Sequence, residues 1–361
     1  MKGVGSLIAR EITSGERERW NSFIAHCPVG HIFHTFEWGV YKSKQGWRPR
    51  RIIIIEDGGR IISALPILER SIPLLGQVLW YLPRGPVVDF SDHDLAKETI
   101  RILKDLCAAN RVAFARISPD VILDENGTAI IELLNAEGMQ PALNRQLHKC
   151  TLRVNLQGDL SNILANMEQR TRYAIKVANK RGVQVERGNS EGDLRLFYQL
   201  YQQSLKRKGR NFLPFNYFKG MLEVFAPLGM LQIFLAFYEG MPLSGALILT
   251  FSTKCWYMFG GSSLEHRRVN AGQLLQWEVI RWAKATGCSV YDLQGISCTP
   301  PEKGDPGWGV YLFKRGFGGE RVELIGEFDY IASPVVHKFI LNWMYPIYKK
   351  GRSFLASLRA A

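Results

Sequence analysis

One order of segments occurs twice along this chain, and it restricts the fold more than any other feature. In the first half, "RRIIIIED" (Arg50 to Asp57) is β-branched and runs into Gly58-Gly59, and "RIISALPILER" returns from that turn as a hairpin partner. In the second half, "LQIFLAFYEG" ends at Glu239-Gly240 and "MPLSGALILTF" returns. A third strand follows each hairpin, within "QVLWYLPRGPVVDF" and "KCWYMFGGSS". Each half then turns helical. "LAKETIRILKDLCAAN" carries Leu95, Thr99, Ile102, Leu103 and Leu106 at helical spacing, and "GQLLQWEVIRWAKATG" carries Leu275, Val279, Trp282 and Ala283. A strand closes each unit, "VAFARIS" and "SVYDLQG". Gly59 answers Gly240, and Ala64 answers Ala246.

A hairpin, a further strand, a helix and a strand, preceded by helices, is the pattern of an acetyltransferase-like α/β domain. Two copies predict a duplicated fold with a cleft between the copies. The expected class is α/β: two tandem acetyltransferase-like (GNAT-type) domains with mixed, largely antiparallel sheets and flanking helices. The expected boundaries are 1–158 and 159–325. Residues 326–361 form a basic, amphipathic helical tail expected to pack back on the first domain. The 361 residues, 46% hydrophobic, suffice for two cores. No heptad run is long enough for a coiled-coil arm.

The formal charge of +13 favours polyanionic partners, namely nucleic acid, nucleotide-linked substrates or an acidic membrane surface, with solubility as the plain alternative. Arg172, Lys176 and Lys180 are spaced i, i+4, i+8 on one helix, and "KRKGR" (Lys206 to Arg210) adds a second basic group. Both read either as solvated faces or as contacts to tRNA or another phosphate backbone. The tail, with Lys338, Lys349, Lys350, Arg352 and Arg359 among large apolar residues, reads either as a packed helix or as a contact with an anionic membrane. The six cysteines are scattered without C-x-x-C spacing, so reduced thiols in a cytoplasm are expected. The N-terminal apolar run is too short for a signal peptide, and no run reaches the roughly 18 residues of a membrane span. A cytoplasmic location is expected, with peripheral attachment at the inner face of the plasma membrane left open. His31 and His34 lack partners that would complete a metal site, so no metal is expected. There is no nucleophile elbow, no Walker loop and no Ser/His/Asp set, which disfavours a covalent enzyme intermediate. Acetyltransferases hold the coenzyme A pyrophosphate with a Q/R-x-x-G-x-G/A loop. In "RRVNAGQ" (Arg267 to Gln273), Asn270 stands where the first Gly belongs, although amides at this helix start could still meet an anion.

"GVYLFKRGFGG" (Gly309 to Gly319) reads as a buried strand and turn that nonetheless contains Lys314 and Arg315. Together with "VYDLQGI" before it and "LIGEFDY" after it, it resembles the end of the catalytic domain of the FemABX family, tRNA-dependent aminoacyltransferases that build peptidoglycan cross-bridges. "HTFEWGVYKSKQGW", "YLPRGPVVDF" and "QRTRYAIKVANKRGVQV" resemble further family landmarks, so the resemblance spans nearly the whole chain. It implies no cofactor, with aminoacyl-tRNA as co-substrate, and a peptidoglycan precursor, UDP-linked or lipid-linked, as acceptor. It implies that Phe313 and Lys314 stand at the transfer centre and that Lys42 helps hold the muramyl peptide. Tyr257 falls near a substrate-binding tyrosine; Arg207 and Tyr217 are looser matches, and Arg84 in the strand exit joins the substrate-binding set.

The implied reaction is attack by a stem-peptide amine on an aminoacyl ester, with a ribose hydroxyl leaving. An ammonium in apolar surroundings would stabilise the oxyanion more than the neutral carbonyl. Asp292, at a strand end, is a candidate base or a turn cap. A strand-end lysine snorkelling to solvent is the plain alternative for Lys314. Two other functions stay open: a coenzyme A-dependent N-acyltransferase in cell-surface polysaccharide biosynthesis, and a non-catalytic binding module for nucleic acid or anionic lipid.

Overall fold

The structure, a computed structural model, describes residues 7–72, 75–305 and 307–340. It divides into two compact units, one running up to Lys149 and resuming at Glu323, the other running from Cys150 to Val322. The first contains β1 (Ile8–Glu11), α1 (Arg17–His26), α2 (Phe36–Ser43), β2 (Arg48–Ile55), β3 (Ile61–Ile72), β4 (Gln77–Leu82), α3 (His93–Ala109), β5 (Val112–Ile117), α4 (Glu125–Ala136) and β6 (Gln140–Pro141). The second contains β7 (Cys150–Asn155), α5 (Leu160–Ala165), α6 (Gln169–Lys180), β8 (Gln184–Gly188), α7 (Glu191–Lys206), α8 (Phe215–Phe225), β9 (Leu231–Tyr238), β10 (Met241–Phe251), β11 (Lys254–Ser262), α9 (Ala271–Ala285), β12 (Val290–Ile296), α10 (Trp308–Arg315) and β13 (Glu320–Glu323). β14 (Phe328–Ile331) and α11 (Pro334–Phe339) follow, and β14 lies in the first unit's sheet.

The repeat in the sequence is a repeat of sheets. The first has the order β1-β2-β3-β4-β5-β14-β6 and the second β13-β7-β12-β11-β10-β9-β8. In each, a hairpin and a third antiparallel strand lead through a helix to a fourth strand that pairs in parallel: β4 with β5, and β11 with β12. A parallel pair needs a crossover, which α3 and α9 supply. The hairpin glycines are required by backbone conformation: Gly58 and Gly59 have φ of 95° and 80°, and Gly240 has φ of 76° after Glu239 at 49°.

Each sheet buries its own core. In the first, Leu65, Ile67, Trp80 and Leu82 meet Ile100, Leu103 and Ile130. In the second, Phe234, Ala246 and Ile248 meet Leu275, Val279 and Ala283. Helix α3 starts where the Asp92 carboxylate accepts the Leu95 N–H at 2.9 Å. Its buried line is Ala96, Thr99, Ile100, Leu103 and Cys107, so Leu95, Ile102 and Leu106 are flank positions. Thr99 is tolerated inside because its hydroxyl donates to Ser63 Oγ at 3.0 Å. His31 and His34 are buried and structural: His34 Nδ1 accepts the His31 N–H at 3.2 Å, and its Nε2 meets the Pro83 carbonyl at 3.0 Å.

Three sequence expectations change. The division falls at Lys149/Cys150 rather than at 158/159, because β7 hydrogen-bonds to β12 and so belongs to the second sheet. The return falls at Val322/Glu323, because β14 pairs with β5. The thiols are not all reduced: Cys150 and Cys298 form a disulfide with Cα atoms 5.2 Å apart, while Cys27, Cys107, Cys255 and Cys288 are not disulfide-bonded. No spacing rule could show this pair, since 148 residues separate its members and only the β7–β12 pairing of Cys150 with Ile296 brings them together. Of the tail, residues 341–361, including Lys349, Lys350, Arg352 and Arg359, lie outside the described residues. No helix among the described residues is long and apolar enough to cross a membrane.

Candidate active site

The second unit's site forms where two parallel strands stop pairing. β11 and β12 are in register only from Lys254–Val290 to Trp256–Asp292. Past that point the pairing of β12 with β7 is interrupted between Asp292 and Gly295, and Gln294 takes φ of 62°. The Asp292 carboxylate holds this irregularity in place. It accepts the Gln294 N–H at 2.6 Å, the Thr151 hydroxyl, and Arg153 Nε at 3.3 Å. The carbonyls of Gln294 and Gly295 accept hydrogen bonds from the Lys314 ammonium at 3.2 and 2.8 Å.

Lys314 reaches them from a helix, not from the strand expected. "WGVYLFKR" forms α10, entered through Gly307 at φ of 99°. Its aromatic content favours a strand, but Trp308, Tyr311 and Leu312 repeat at helical spacing, and Lys314 is its buried residue. Lys314 is 8% exposed, so it does not snorkel. Burial pushes its pKa down to about 8, opposed by the charge of Asp292 and reinforced by that of Lys208. An ammonium has three N–H bonds. Two serve the carbonyls, and the third has no acceptor among the described residues.

Phe313, the preceding residue, packs edge-on against Phe317 with ring centroids 5.1 Å apart. Its ring also lies against the first turn of α9, where a Cβ on Gly272 would be 3.5 Å from it. Asn270, just before α9, has φ of 58° and makes no side-chain cap. The helix start that holds a pyrophosphate in acetyltransferases thus has neither the glycine pattern nor an open side toward α10.

Around the second half of β11 the other residues gather. Tyr257 is half-buried, and burial raises its pKa to about 12 against a hydrogen bond with Gln276. Gln276 Oε1 also accepts the Tyr291 hydroxyl at 2.6 Å. A Cβ on Gly260 would lie 1.7 Å from the Tyr257 hydroxyl, so any side chain there would require the tyrosine to move. Tyr217 on α8 meets the Phe259 ring edge-on at 6.1 Å. Arg207, at the end of α7, donates to the Ser262 carbonyl at 3.3 Å; partial burial and then Arg267 hold its pKa below the usual range. Lys208 is likewise lowered, by burial and then by Arg207 and Arg210. The cations of "KRKGR" are therefore electrostatic neighbours of both Lys314 and Arg267.

Of the basic stripe, Arg172 is half-buried and donates to the carbonyls of Ala165 and Met167, whereas Lys176 and Lys180 are exposed. Lys42 and Arg84 belong to the first unit. Lys42 donates to Gln45 Oε1 at 2.9 Å and sits 5.5 Å from the centroids of both Trp38 and Tyr41. Arg84 is buried, has φ of 61° and donates to the His148 carbonyl at 3.1 Å.

The second unit thus brings together Lys314, Phe313 and Asp292. Sequence reasoning missed Thr151, Arg153 and Gln276, and had Lys208 only as a member of the basic group Lys206 to Arg210. It also missed the two carbonyls, which as backbone atoms leave no residue-type signal.

The profile of the FemAB family matches residues 16–238 and 232–343. The chain belongs to the FemAB family. The lipid II:glycine glycyltransferase of Staphylococcus saprophyticus is 26% identical, with 89% of this chain and 93% of that protein covered. The protein of the same description in Staphylococcus aureus is 24% identical over 91% and 94%. Among solved structures, the crystal structure of FemX superposes with a TM-score of 0.84 at 23% identity, covering 92% of this chain and 99% of that one. A tandem GNAT protein from the clavulanic acid pathway gives 0.51 at 11% identity. The fold is a tandem acetyltransferase-like α/β fold, as its repeated segments indicate.

Proposed function

We propose that this FemAB-family chain is an aminoacyltransferase that moves an amino acid from aminoacyl-tRNA to the stem-peptide amine of a peptidoglycan precursor. The observation that carries the reading is the buried Lys314 ammonium, fixed by two carbonyls with one N–H uncommitted. The family membership and the glycyltransferase relatives supply the substrate class.

In the reaction, the acceptor amine attacks the ester carbonyl and a C–N bond forms. The tetrahedral intermediate collapses as the C–O bond to the ribose breaks, and the proton lost by the amine is carried to the leaving oxygen. The ester is already activated, so positioning and charge stabilisation are the main demands. The third Lys314 N–H meets the developing oxyanion in a site where Phe313 and Phe317 exclude water, which strengthens the interaction. Asp292 acts as a positioning residue: its oxygens hold the strand irregularity that aims both carbonyls, and its charge favours the protonated lysine. Tyr257, Tyr217 and Arg207 form the acceptor-side set in the second unit; the substrate-binding roles of Lys42 and Arg84, in the first unit, rest on the family resemblance. The reading places the protein on the cytoplasmic side of the membrane, where charged tRNA is found.

The test is transfer of a radiolabelled amino acid from charged tRNA to a UDP-linked or lipid-linked muramyl pentapeptide. Labelled peptide is expected with the unsubstituted chain, and Lys314→Met should lower the rate about 10²- to 10³-fold. No labelled peptide from any of the common aminoacyl-tRNAs would overturn the reading. Stabilisation by acetyl-coenzyme A, but not by tRNA, would favour the N-acyltransferase instead.

A further inference from the structure

We propose that the exposed face of α6 is the docking track for the donor RNA, with Tyr173 as a platform on which a base stacks; this rests on the transferase reading above. Helix α6 buries Thr171, Ala174, Ile175 and Ala178 against the core. The opposite line, at i, i+4, i+7 and i+11, is Gln169, Tyr173, Lys176 and Lys180, all exposed. Tyr173 is 69% exposed, an aromatic ring held in water on a rigid helix. The twelve residues of α6 include no Asp or Glu. Neither Lys176 nor Lys180 has an ion-pair partner among the described residues.

The helix is anchored to the transfer site. The Glu168 N–H donates to the Gly316 carbonyl at 3.0 Å, and Arg170 donates to the Leu312 carbonyl at 3.1 Å. Glu168 also takes ion pairs from Arg170 and Arg315, which removes those two arginines from the free positive charge. A Cβ on Gly316 would lie 2.2 Å from Thr171 Oγ1, so the first turn of α6 seats directly on the end of the helix that carries Lys314. At its far end, about 18 Å away at 1.5 Å per residue, Arg181 donates to the Arg268 carbonyl, and the exposed Arg267 and Arg268 continue the positive surface.

A line that begins beside the acyl centre and leads away from it through an aromatic and unpaired cations matches a single-stranded RNA end continuing into a stem. Cations track the phosphates, and the ring takes a base without regard to its identity. A membrane fits less well. The face has one aromatic and no aliphatic anchor, and its other side is locked in the core, so it has no apolar stripe to insert. Arg172, in the stripe read from the sequence, donates to the Ala165 and Met167 carbonyls, and Tyr173 lies on the exposed line with Lys176 and Lys180.

The test is fluorescence anisotropy of the full chain with an uncharged tRNA between 50 and 200 mM salt. Lys176→Glu with Lys180→Glu should weaken binding at least tenfold and reduce the log–log salt slope by about 1.4 to 1.8, the equivalent of two phosphates. Tyr173→Ala should weaken it about five- to a hundredfold, and Tyr173→Phe should restore binding to within about twofold of the unsubstituted chain, which a merely structural role for the ring's hydroxyl would not give. Since the three side chains are exposed, melting temperatures should not move. Unchanged tRNA affinity in these variants, in a chain that still transfers amino acids, overturns this inference and leaves the function standing. Loss of binding to phosphatidylglycerol vesicles with tRNA affinity intact overturns it in favour of a membrane. A chain that neither binds tRNA nor transfers overturns the function and this inference with it.

Discussion

Replacing Lys314 with Met keeps the unbranched shape and deletes the charge, and the structure sets the size of the effect on stability. The lysine's folded pKa of about 8 lies below the ordinary 10.5, with burial as the largest cause. A folded state that binds protons less tightly than the unfolded state is penalised at neutral pH, by roughly 3 kcal/mol for a gap of this size. The sign follows from proton counts. Between about pH 8 and 10.5 the unfolded chain keeps the proton that the native chain has released, so native stability rises with pH through that window. From pH 7.5 to 9.5 the unsubstituted chain should gain roughly 2 kcal/mol relative to Lys314→Met. Urea unfolding of both proteins at the two pH values measures this. Other lysines and tyrosines titrate in both and cancel, as does any cost of leaving the Gln294 and Gly295 carbonyls unpaired. Stability curves that stay parallel to within about 0.5 kcal/mol would mean that the ammonium is not desolvated, and the catalytic role built on it would lose its basis.

Other consequences are open to direct measurement. Asp292→Asn removes the charge that favours protonated Lys314, so the alkaline limb of the transfer rate should move to lower pH; an unmoved limb would separate the two residues. Cys298→Ser should destabilise the chain by up to about 5 kcal/mol, the chain-entropy value for a loop of this length. Chemical unfolding under non-reducing conditions reads it, and an unchanged midpoint would show that the bond is not formed in solution. Gly261→Ala places a Cβ 2.3 Å from the Tyr201 backbone nitrogen, with no flexible side chain to give way. A loss of about 1–3 kcal/mol is expected by thermal melting, and a neutral substitution would contradict the close packing of α7 on β11.

The sheets were legible because their signals are local. A β-branched run ending at Gly58-Gly59 and a Leu- and Phe-rich run ending at Glu239-Gly240 mark hairpins whatever lies around them, and their repetition shows that the unit occurs twice. What escaped depends on pairings distant in sequence. β7 looked like the end of the first unit, yet its partner is β12. The same pairing makes the Cys150–Cys298 bond and joins Thr151 and Arg153 to Asp292. The Lys314 segment was recognisable as a motif while its local conformation was misread, because aromatic residues suit a strand as well as one face of a short helix. Arg172 and Tyr173 show the finer limit: helical spacing identifies neighbours along a face, but only the packing of Thr171, Ala174 and Ala178 fixes which face is outside.

The most direct test of the central claim is the single-turnover transfer rate from charged tRNA, measured from pH 7 to 10 and expressed as the ratio of the unsubstituted chain to Lys314→Met. Ionisation of the acceptor amine and hydrolysis of the ester cancel in that ratio. It should stand at about 10² to 10³ near pH 7 and fall about tenfold per pH unit above pH 8 as the ammonium loses its proton. A ratio near one at pH 7, or one that stays constant up to pH 10, would show that no charge on Lys314 stabilises the transition state.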